Sequence, residues 1–122
     1  MTMPNFSYVH PKKLKETFAH LTEGNTRILA GGTDLLGCLR DGVFIADKVV
    51  SISRLDELNG VERLMDGSLR IGALVTVAEL AGHALIKETY PALAQAALEV
   101  ASPQLRNQGT IGGNLCQKPR CW

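Results

Sequence analysis

Two glycine doublets, Gly31-Gly32 and Gly112-Gly113, constrain this chain more than any other feature. Each follows an apolar run that can form a strand, and the first leads directly into a predicted helix. Glycine permits positive φ and lets backbone amides approach a ligand where a Cβ atom would collide. A diphosphate that lies across two such turns would explain both, so the pattern favours a dinucleotide ligand.

Composition limits the other possibilities. A chain of 122 residues that is 45% hydrophobic and 20% charged is long enough for one small compact domain. Its formal net charge of +1 favours neither nucleic acid nor a membrane surface as a partner. The chain carries no recognisable secretory signal, and its three cysteines do not resemble an extracellular disulfide framework, so we expect a cytoplasmic protein.

The apolar spacing in the first half of the chain predicts alternating helices and strands. The expected elements are a helix that begins near Pro11, a strand over 27–30, a helix that ends at Gly42 and a strand over 48–52. In the first helix Leu14, Phe18 and Leu21 form the predicted buried stripe. In the second, Thr33 is the expected N-cap, and Leu35, Leu36 and Leu39 are expected to face inward.

The second half predicts a hairpin over 61–64 and 68–71, because Asp66-Gly67 is a strong turn signal between the two runs. A short helix capped by Thr76 and a longer helix over 91–100 should follow, with Ala94 and Ala97 allowing close packing. Ser102-Pro103 is interpreted as the end of that longer helix. The predicted fold class is α/β (α+β): a small sheet with flanking helices and a hairpin.

The first glycine turn lies between a strand and a helix, where free backbone amides and the helix dipole favour an anion. Thr33 could add a hydroxyl donor. Asp34 would repel a phosphate, so its carboxylate is expected to point away from the anion. The alternative is a tight connection that needs glycine and binds nothing, and the turn taken by itself favours that alternative.

In the second glycine turn, Thr110 offers a hydroxyl, Gly112 and Gly113 offer exposed amides, and Asn114 offers a side-chain amide. Here too a glycine turn or bulge without a ligand is the alternative. Neither turn matches the dinucleotide-binding G-x-G-x-x-G pattern or the P-loop. His10, His20 and His83 show no metal-binding spacing and are interpreted as surface or capping residues.

The two motifs together resemble one family. Residues 28–36 (ILAGGTDLL) and 105–116 (LRNQGTIGGNLC) are similar to the flavin-binding medium subunits of molybdenum hydroxylases, which include xanthine dehydrogenase, carbon monoxide dehydrogenase and aldehyde oxidoreductase. Supporting matches are residues 6–8, 69–73 and 101–103, and the resemblance covers essentially the whole chain in order.

This resemblance implies an FAD-binding fold of the vanillyl-alcohol oxidase (PCMH) type. Residues 1–122 would form an incomplete domain, with a first subdomain over about 1–100 and the beginning of a second over 101–122. Around the diphosphate the resemblance places Leu29, Ala30, Gly31, Gly32, Thr33, Asp34 and Leu35. It places Thr110, Gly113 and Asn114 on the other side of the cofactor and Ala73 beneath the flavin.

The resemblance also implies partners: a molybdopterin-containing large subunit and a [2Fe–2S] small subunit, from which FAD would collect electrons. No residue of this chain would then be a general acid, base or nucleophile. On this interpretation Gly32→Val is expected to abolish flavin binding while folding remains measurable.

The cysteines fall into two groups. Cys38 lies in an apolar helix and is expected to be a small buried residue. The segment 114–122 (NLCQKPRCW) resembles the family branch with an extra [4Fe–4S] cluster, which implies Cys121 as a ligand, whereas Cys116 is not expected to be one.

Two alternatives are kept. The chain could be a truncated, non-catalytic α/β fragment that binds no flavin and at most docks to partner subunits. It could also be another enzyme on the same flavin fold, such as a UDP-N-acetylmuramate reductase, although the cysteine-containing segment argues against that assignment.

Overall fold

A computed structural model describes residues 2–119, and within this range the chain forms two compact units. The first unit contains residues 2–56 and 117–119, and the second contains residues 57–116. Each unit has its own apolar core. The first glycine doublet belongs to the first unit and the second doublet to the second unit.

The sheet of the first unit consists of β1 (Ser7–Val9), β2 (Thr26–Leu29) and β3 (Lys48–Ser51). All pairings are parallel and the order is β1-β3-β2. Val50 in the central strand lies opposite Val9 on one side and Ile28 on the other. Because the strands are parallel and in this register, their carboxyl ends meet at one edge of the sheet.

Two helices complete the first unit: α1 (Leu14–Leu21) and α2 (Leu35–Arg40). The core is formed by Leu39, Ala46 and Val49, all at most 5% exposed. Four partly buried side chains pack against it: Phe6, Leu29, Leu35 and Phe44. Leu29 and Leu35 stand on either side of the first glycine turn, so the core fixes both ends of that turn.

The second unit begins with the antiparallel hairpin of β4 (Val61–Arg63) and β5 (Leu69–Ile71), preceded by a 3-10 turn at Asp56–Leu58. Five short helices follow: α3 (Val77–Gly82), α4 (Ala84–Thr89), α5 (Pro91–Leu98), α6 (Pro103–Gln108) and α7 (Ile111–Cys116). Their core contains Val75, Val77, Leu80, Ala81, Ile86, Ala94 and Ala97.

The predicted fold class is confirmed: small sheets, flanking helices and a hairpin are all present. The burial of Cys38, Ala94 and Ala97 is confirmed as well. Within residues 2–119, none of the helices combines the length and apolarity needed to cross a bilayer.

Two predicted inward positions are wrong. Phe18 is 59% exposed, whereas Thr17 on the same helix is 2% exposed. Thr17 is tolerated inside because its Oγ1 donates a hydrogen bond to the Lys13 carbonyl at 3.0 Å. In α2, Leu36 is 37% exposed because Cys38 and Leu39 occupy the inward face.

The interpretation of Ser102-Pro103 as a simple helix end is also incomplete, because these residues begin α6. The Ser102 Oγ atom accepts a hydrogen bond from the Leu105 amide at 3.3 Å, and Pro103 occupies the first turn. Proline is tolerated there because the first amides of a helix have no intrahelical acceptor.

Candidate functional site

The first glycine turn connects the carboxyl end of β2 to the beginning of α2. Leu29 is the last residue of β2 and Leu35 the first of α2, so Ala30, Gly31, Gly32, Thr33 and Asp34 form the connection. Gly32 has φ of +78°, and its carbonyl accepts a hydrogen bond from the Leu36 amide at 3.3 Å. Parallel α/β sheets bind ligands at this edge, outside the carboxyl ends of the strands.

Gly32 is also required by packing. A Cβ atom at this position would lie 2.9 Å from Leu36 Cδ1 and 3.3 Å from Leu29 Cδ1. The positive φ adds strain for any other residue. The fold therefore accounts for this glycine even without a ligand.

The helix that follows is capped differently from the prediction. Asp34 rather than Thr33 is the N-cap residue of α2, and its side chain makes no capping hydrogen bond. One Asp34 carboxylate oxygen lies 3.8 Å from Cys38 Sγ, one turn further along α2. This contact turns that oxygen along the helix, which agrees with a carboxylate that points away from an anion at the turn.

The second glycine motif is the beginning of helix α7 rather than a turn or bulge. Thr110 is buried, and its Oγ1 accepts a hydrogen bond from the Gly113 amide at 3.1 Å. The Thr110 carbonyl accepts another from the Asn114 amide at 2.9 Å. Thr110 therefore caps α7, an interaction that satisfies one of the free amides of a helix N-terminus.

Ala73 lies directly against this helix start. The Gly112 amide donates a hydrogen bond to the Ala73 carbonyl at 2.9 Å. A Cβ atom on Gly112 would lie 2.8 Å from the Cβ of Ala73. Glycine at this position permits a backbone approach that alanine would prevent.

The expectation of exposed amides at Gly112 and Gly113 is therefore wrong, because both donate to acceptors within the protein. What the motif can offer a ligand is the side-chain amide of Asn114 and the exposed, side-chain-free surface of Gly113. The Thr110 hydroxyl can still donate its own proton while it accepts from Gly113.

The structure thus brings the predicted site residues together in two groups. Residues 29–35 form one continuous segment of the first unit. In the second unit Ala73 contacts the start of α7, which carries Gly113 and Asn114 and is capped by Thr110.

Cys121, the predicted cluster ligand, lies outside the described residues. Among residues 2–119, no group of three or more His, Cys, Asp or Glu side chains could hold a metal ion. Cys38 is buried and Cys116 is exposed.

Sequence reasoning missed a polar cluster at the same sheet edge as the first turn. His10 follows β1, and its Nε2 atom lies 2.8 Å from the Ser53 hydroxyl. Ser53 Oγ lies 3.1 Å from the hydroxyl of Ser51, the last residue of β3. Ser51 lies in the predicted strand over 48–52 and Ser53 follows it, but His10 follows β1, which was not among the predicted elements. No sequence signal therefore linked His10 to the two serines.

Comparison with known proteins identifies the kind of domain to which this geometry belongs. Residues 4–120 match the family model described as the FAD binding domain in molybdopterin dehydrogenase. The chain is 40% identical over 116 residues to the nicotinate dehydrogenase FAD-subunit of Eubacterium barkeri, covering 93% of this chain and 39% of that protein. It is 39% identical over 117 residues to the glyceraldehyde dehydrogenase medium chain of Sulfolobus acidocaldarius, covering 94% and 41%.

Solved structures agree with these matches. Carbon monoxide dehydrogenase from Hydrogenophaga pseudoflava matches with a TM-score of 0.89 and 35% identity, covering 94% of this chain and 40% of that one. Quinoline 2-oxidoreductase from Pseudomonas putida 86 matches with a TM-score of 0.89 and 32% identity, over the same shares. The chain therefore spans about two fifths of the length of the relatives it matches.

Proposed function

Because this chain belongs to the family of FAD-binding domains in molybdopterin dehydrogenases, we propose that it holds FAD and carries electrons within a molybdopterin-dependent oxidoreductase. The relatives are dehydrogenase subunits. Bound FAD would supply the redox chemistry, and the protein would position the cofactor and adjust its surroundings.

The observation that carries this proposal is the position of the first glycine turn. It lies at the carboxyl edge of a parallel sheet, leads into a helix and has a glycine at φ of +78° at its centre. These features fit a diphosphate, which needs close approach to the backbone and the positive end of a helix.

The residues proposed to hold FAD are those that the sequence resemblance indicates. Leu29, Ala30, Gly31, Gly32, Thr33, Asp34 and Leu35 would surround the diphosphate. In the second unit Thr110, Gly113 and Asn114 would contact the cofactor through the Thr110 hydroxyl proton, the bare Gly113 surface and the Asn114 side chain. Ala73 would provide a lesser apolar contact beneath the flavin.

The proposal extends to partner subunits. Medium chains and FAD subunits are by name parts of larger assemblies, which supports a molybdopterin-containing large subunit and a [2Fe–2S] small subunit as partners here. A cytoplasmic location and a [4Fe–4S] cluster with Cys121 as a ligand remain part of the hypothesis, and the cluster rests on the sequence resemblance alone.

The test compares two glycines at the two ends of α2. Gly32 and Gly42 both have positive φ, +78° and +71°, so alanine strains the backbone at either position. Only Gly32 lies in the proposed diphosphate turn. Titration of FAD into the wild type, Gly32→Ala and Gly42→Ala, followed by flavin fluorescence well below the unfolding temperature of each, should show loss of binding in Gly32→Ala alone.

Equal FAD binding by folded Gly32→Ala and by the wild type would contradict this diphosphate site. Absence of FAD binding by the wild type would instead favour the second candidate, a fold that has kept its glycines and binds no flavin. That candidate has specific support, because packing against Leu36 and Ala73 explains Gly32 and Gly112 without a ligand.

A further inference from the structure

One imidazole and two hydroxyl groups form a hydrogen-bonded cluster. It consists of His10, Ser51 and Ser53 and is called the His10 cluster. His10 Nε2 lies 2.8 Å from Ser53 Oγ, and Ser53 Oγ lies 3.1 Å from Ser51 Oγ. Ser51 is only 3% exposed, whereas Ser53 is exposed and His10 is partly exposed. The cluster therefore has a buried end that fixes it and an exposed end that can meet a ligand.

The cluster is placed by the sheet itself. His10 directly follows β1, Ser51 ends β3 and Ser53 stands two residues beyond it, so the cluster lies at the carboxyl edge. The first glycine turn begins at the same edge after β2, where Leu29 pairs with Ser51 and its carbonyl accepts a hydrogen bond from the Ile52 amide at 2.9 Å. Neighbouring strands are about 4.8 Å apart and β3 separates β1 from β2, so the ends of β1 and β2 are roughly 10 Å apart.

The orientation of the exposed end is fixed from two sides. The Tyr8 ring meets the His10 imidazole edge to face, with centroids 5.9 Å apart and an interplanar angle of 63°. The buried Ser51 hydroxyl restrains the Ser53 side chain through the hydrogen bond between their Oγ atoms. Preorganised polar groups of this kind lose less conformational entropy when a ligand binds.

The chemistry of the pair suits hydroxyl groups. A serine hydroxyl both donates and accepts, and an imidazole carries a second ring nitrogen besides the one bonded to Ser53. In a dinucleotide, sugar-type hydroxyls flank the diphosphate on both sides: a ribose on the adenosine half and a ribityl chain on the flavin half.

We propose that His10 and Ser53 form a subsite for the sugar-type hydroxyls that adjoin the FAD diphosphate, with Ser51 as a positioning residue. The proposal rests on the proposed function, because the diphosphate must first occupy the turn that follows β2. It adds two binding residues, separated from that turn in sequence, which no glycine motif indicates.

The test measures FAD, ADP and FMN binding to the wild-type protein, at the length at which it occurs in its native source, and to its double variant His10→Ala/Ser53→Ala. Ser7→Ala is the matched control, because its hydroxyl lies at the opposite edge of the same sheet and donates to the Asp47 carbonyl at 3.1 Å. Loss of one neutral hydrogen bond costs about tenfold in affinity. We expect FAD affinity to fall about tenfold or more in the double variant and to stay unchanged in Ser7→Ala.

The two half-ligands identify which hydroxyls are bound. A loss confined to ADP assigns the subsite to the ribose, and a loss confined to FMN assigns it to the ribityl chain. Ser53→Thr keeps the hydroxyl and should restore most of the affinity that Ser53→Ala loses. A loss of affinity in Ser53→Ala without a loss of stability in urea unfolding would not follow if the cluster only stabilised the fold.

Unchanged FAD affinity in the double variant, with the wild type binding FAD, overturns the subsite and leaves the proposed function intact. A wild type that binds no FAD overturns both. If the double variant does not fold, as judged by circular dichroism, the single variant Ser53→Ala decides between the same outcomes.

Discussion

At the residue scale, Gly32 and Gly37 lie five positions apart but have opposite requirements. Gly32 has positive φ and close neighbours, whereas a Cβ atom on Gly37, inside α2, would meet nothing within 4 Å. We expect Gly32→Ala to lower the free energy of unfolding by about 1–2 kcal/mol. Gly37→Ala should raise it by about 0.5–1 kcal/mol, because alanine is the better helix former. Urea unfolding of both variants measures the two changes, and a stabilised Gly32→Ala would contradict the turn geometry.

This difference limits what Gly32→Val can show. Valine would meet Leu36 Cδ1 and strain the left-handed backbone, so a loss of flavin binding in that variant has a structural explanation as well as a functional one. Gly42→Ala controls for the strain of a positive φ, which both variants carry. The contact with Leu36 Cδ1 is specific to position 32, since a Cβ atom on Gly42 would meet nothing within 4 Å, so FAD binding is compared only for variants that urea unfolding shows to be folded.

Another residue-scale prediction concerns Asp66 in the hairpin turn. Its Oδ1 accepts hydrogen bonds from the Ser68 hydroxyl at 2.6 Å and the Ser68 amide at 2.9 Å. The Ser68 side-chain hydrogen bond first, and the backbone bond second, hold the pKa of Asp66 below its ordinary value of 3.8. The resulting stabilisation is fully present above the unfolded-state pKa and is lost as the pH falls through the lowered folded-state pKa.

Removing the hydroxyl with Ser68→Ala should therefore raise the pKa of Asp66 towards its ordinary value, and Ser68→Thr should keep it low. A carboxyl-carbon NMR titration of Asp66 in the three proteins measures this directly. An identical titration in Ser68→Ala would show that the side-chain hydrogen bond contributes nothing.

At the element scale, helix α7 depends on its cap. Thr110→Val keeps the shape of the side chain but removes the oxygen that accepts from the Gly113 amide. We expect it to lower the free energy of unfolding by about 1 kcal/mol. Thr22→Val, at the exposed end of α1, removes a hydroxyl that donates to the Ala19 carbonyl and should change stability by less than about 0.5 kcal/mol. Equal effects in urea unfolding would contradict the capping role.

The same helix shows where sequence reasoning fails. Two adjacent glycines disfavour a helix by propensity, and the sequence alone therefore predicts a turn at residues 109–115. Tertiary contacts overcome this preference: the Thr110 cap and the close approach of Gly112 to Ala73 both require the helical arrangement. By contrast, local signals were sufficient for the hairpin, whose Asp66-Gly67 turn places Gly67 at φ of +87°.

The candidate site likewise contains one part that could be predicted from the sequence and one part that could not. The first glycine turn could be predicted, because strand, turn and helix follow one another in the sequence. The His10 cluster could not be predicted, because it depends on parallel pairing of β1 with β3, and His10 is 43 positions from Ser53. Phe18 and Thr17 show a third limit: hydropathy ranks phenylalanine inside, but a satisfied threonine hydroxyl occupies the buried position.

At the scale of the whole molecule, the chain contains two units with separate cores, and the proposed FAD residues belong to both. The relatives that it matches are about two and a half times as long, since it covers 39–41% of them. Contacts to FAD supplied by further parts of such proteins would add to those proposed for residues 2–119. FAD affinity is therefore a property to be measured in the protein as it occurs in its native source.

This leads to the prediction that the native protein carries flavin and copurifies with redox partners. Purification from the native source, with an absorption spectrum, an intact mass and metal analysis of the same fraction, should show flavin bands together with molybdenum and iron. Preparing the fraction again at high salt, which weakens polar subunit contacts, should reduce the metals before the flavin, because on the proposed function this subunit would hold the flavin and its partners would hold the molybdenum and the [2Fe–2S] iron. Retention of iron in the separated subunit would support a cluster ligand at Cys121. A colourless protein without metals would contradict the proposed function and favour a domain that keeps the family fold without its cofactor.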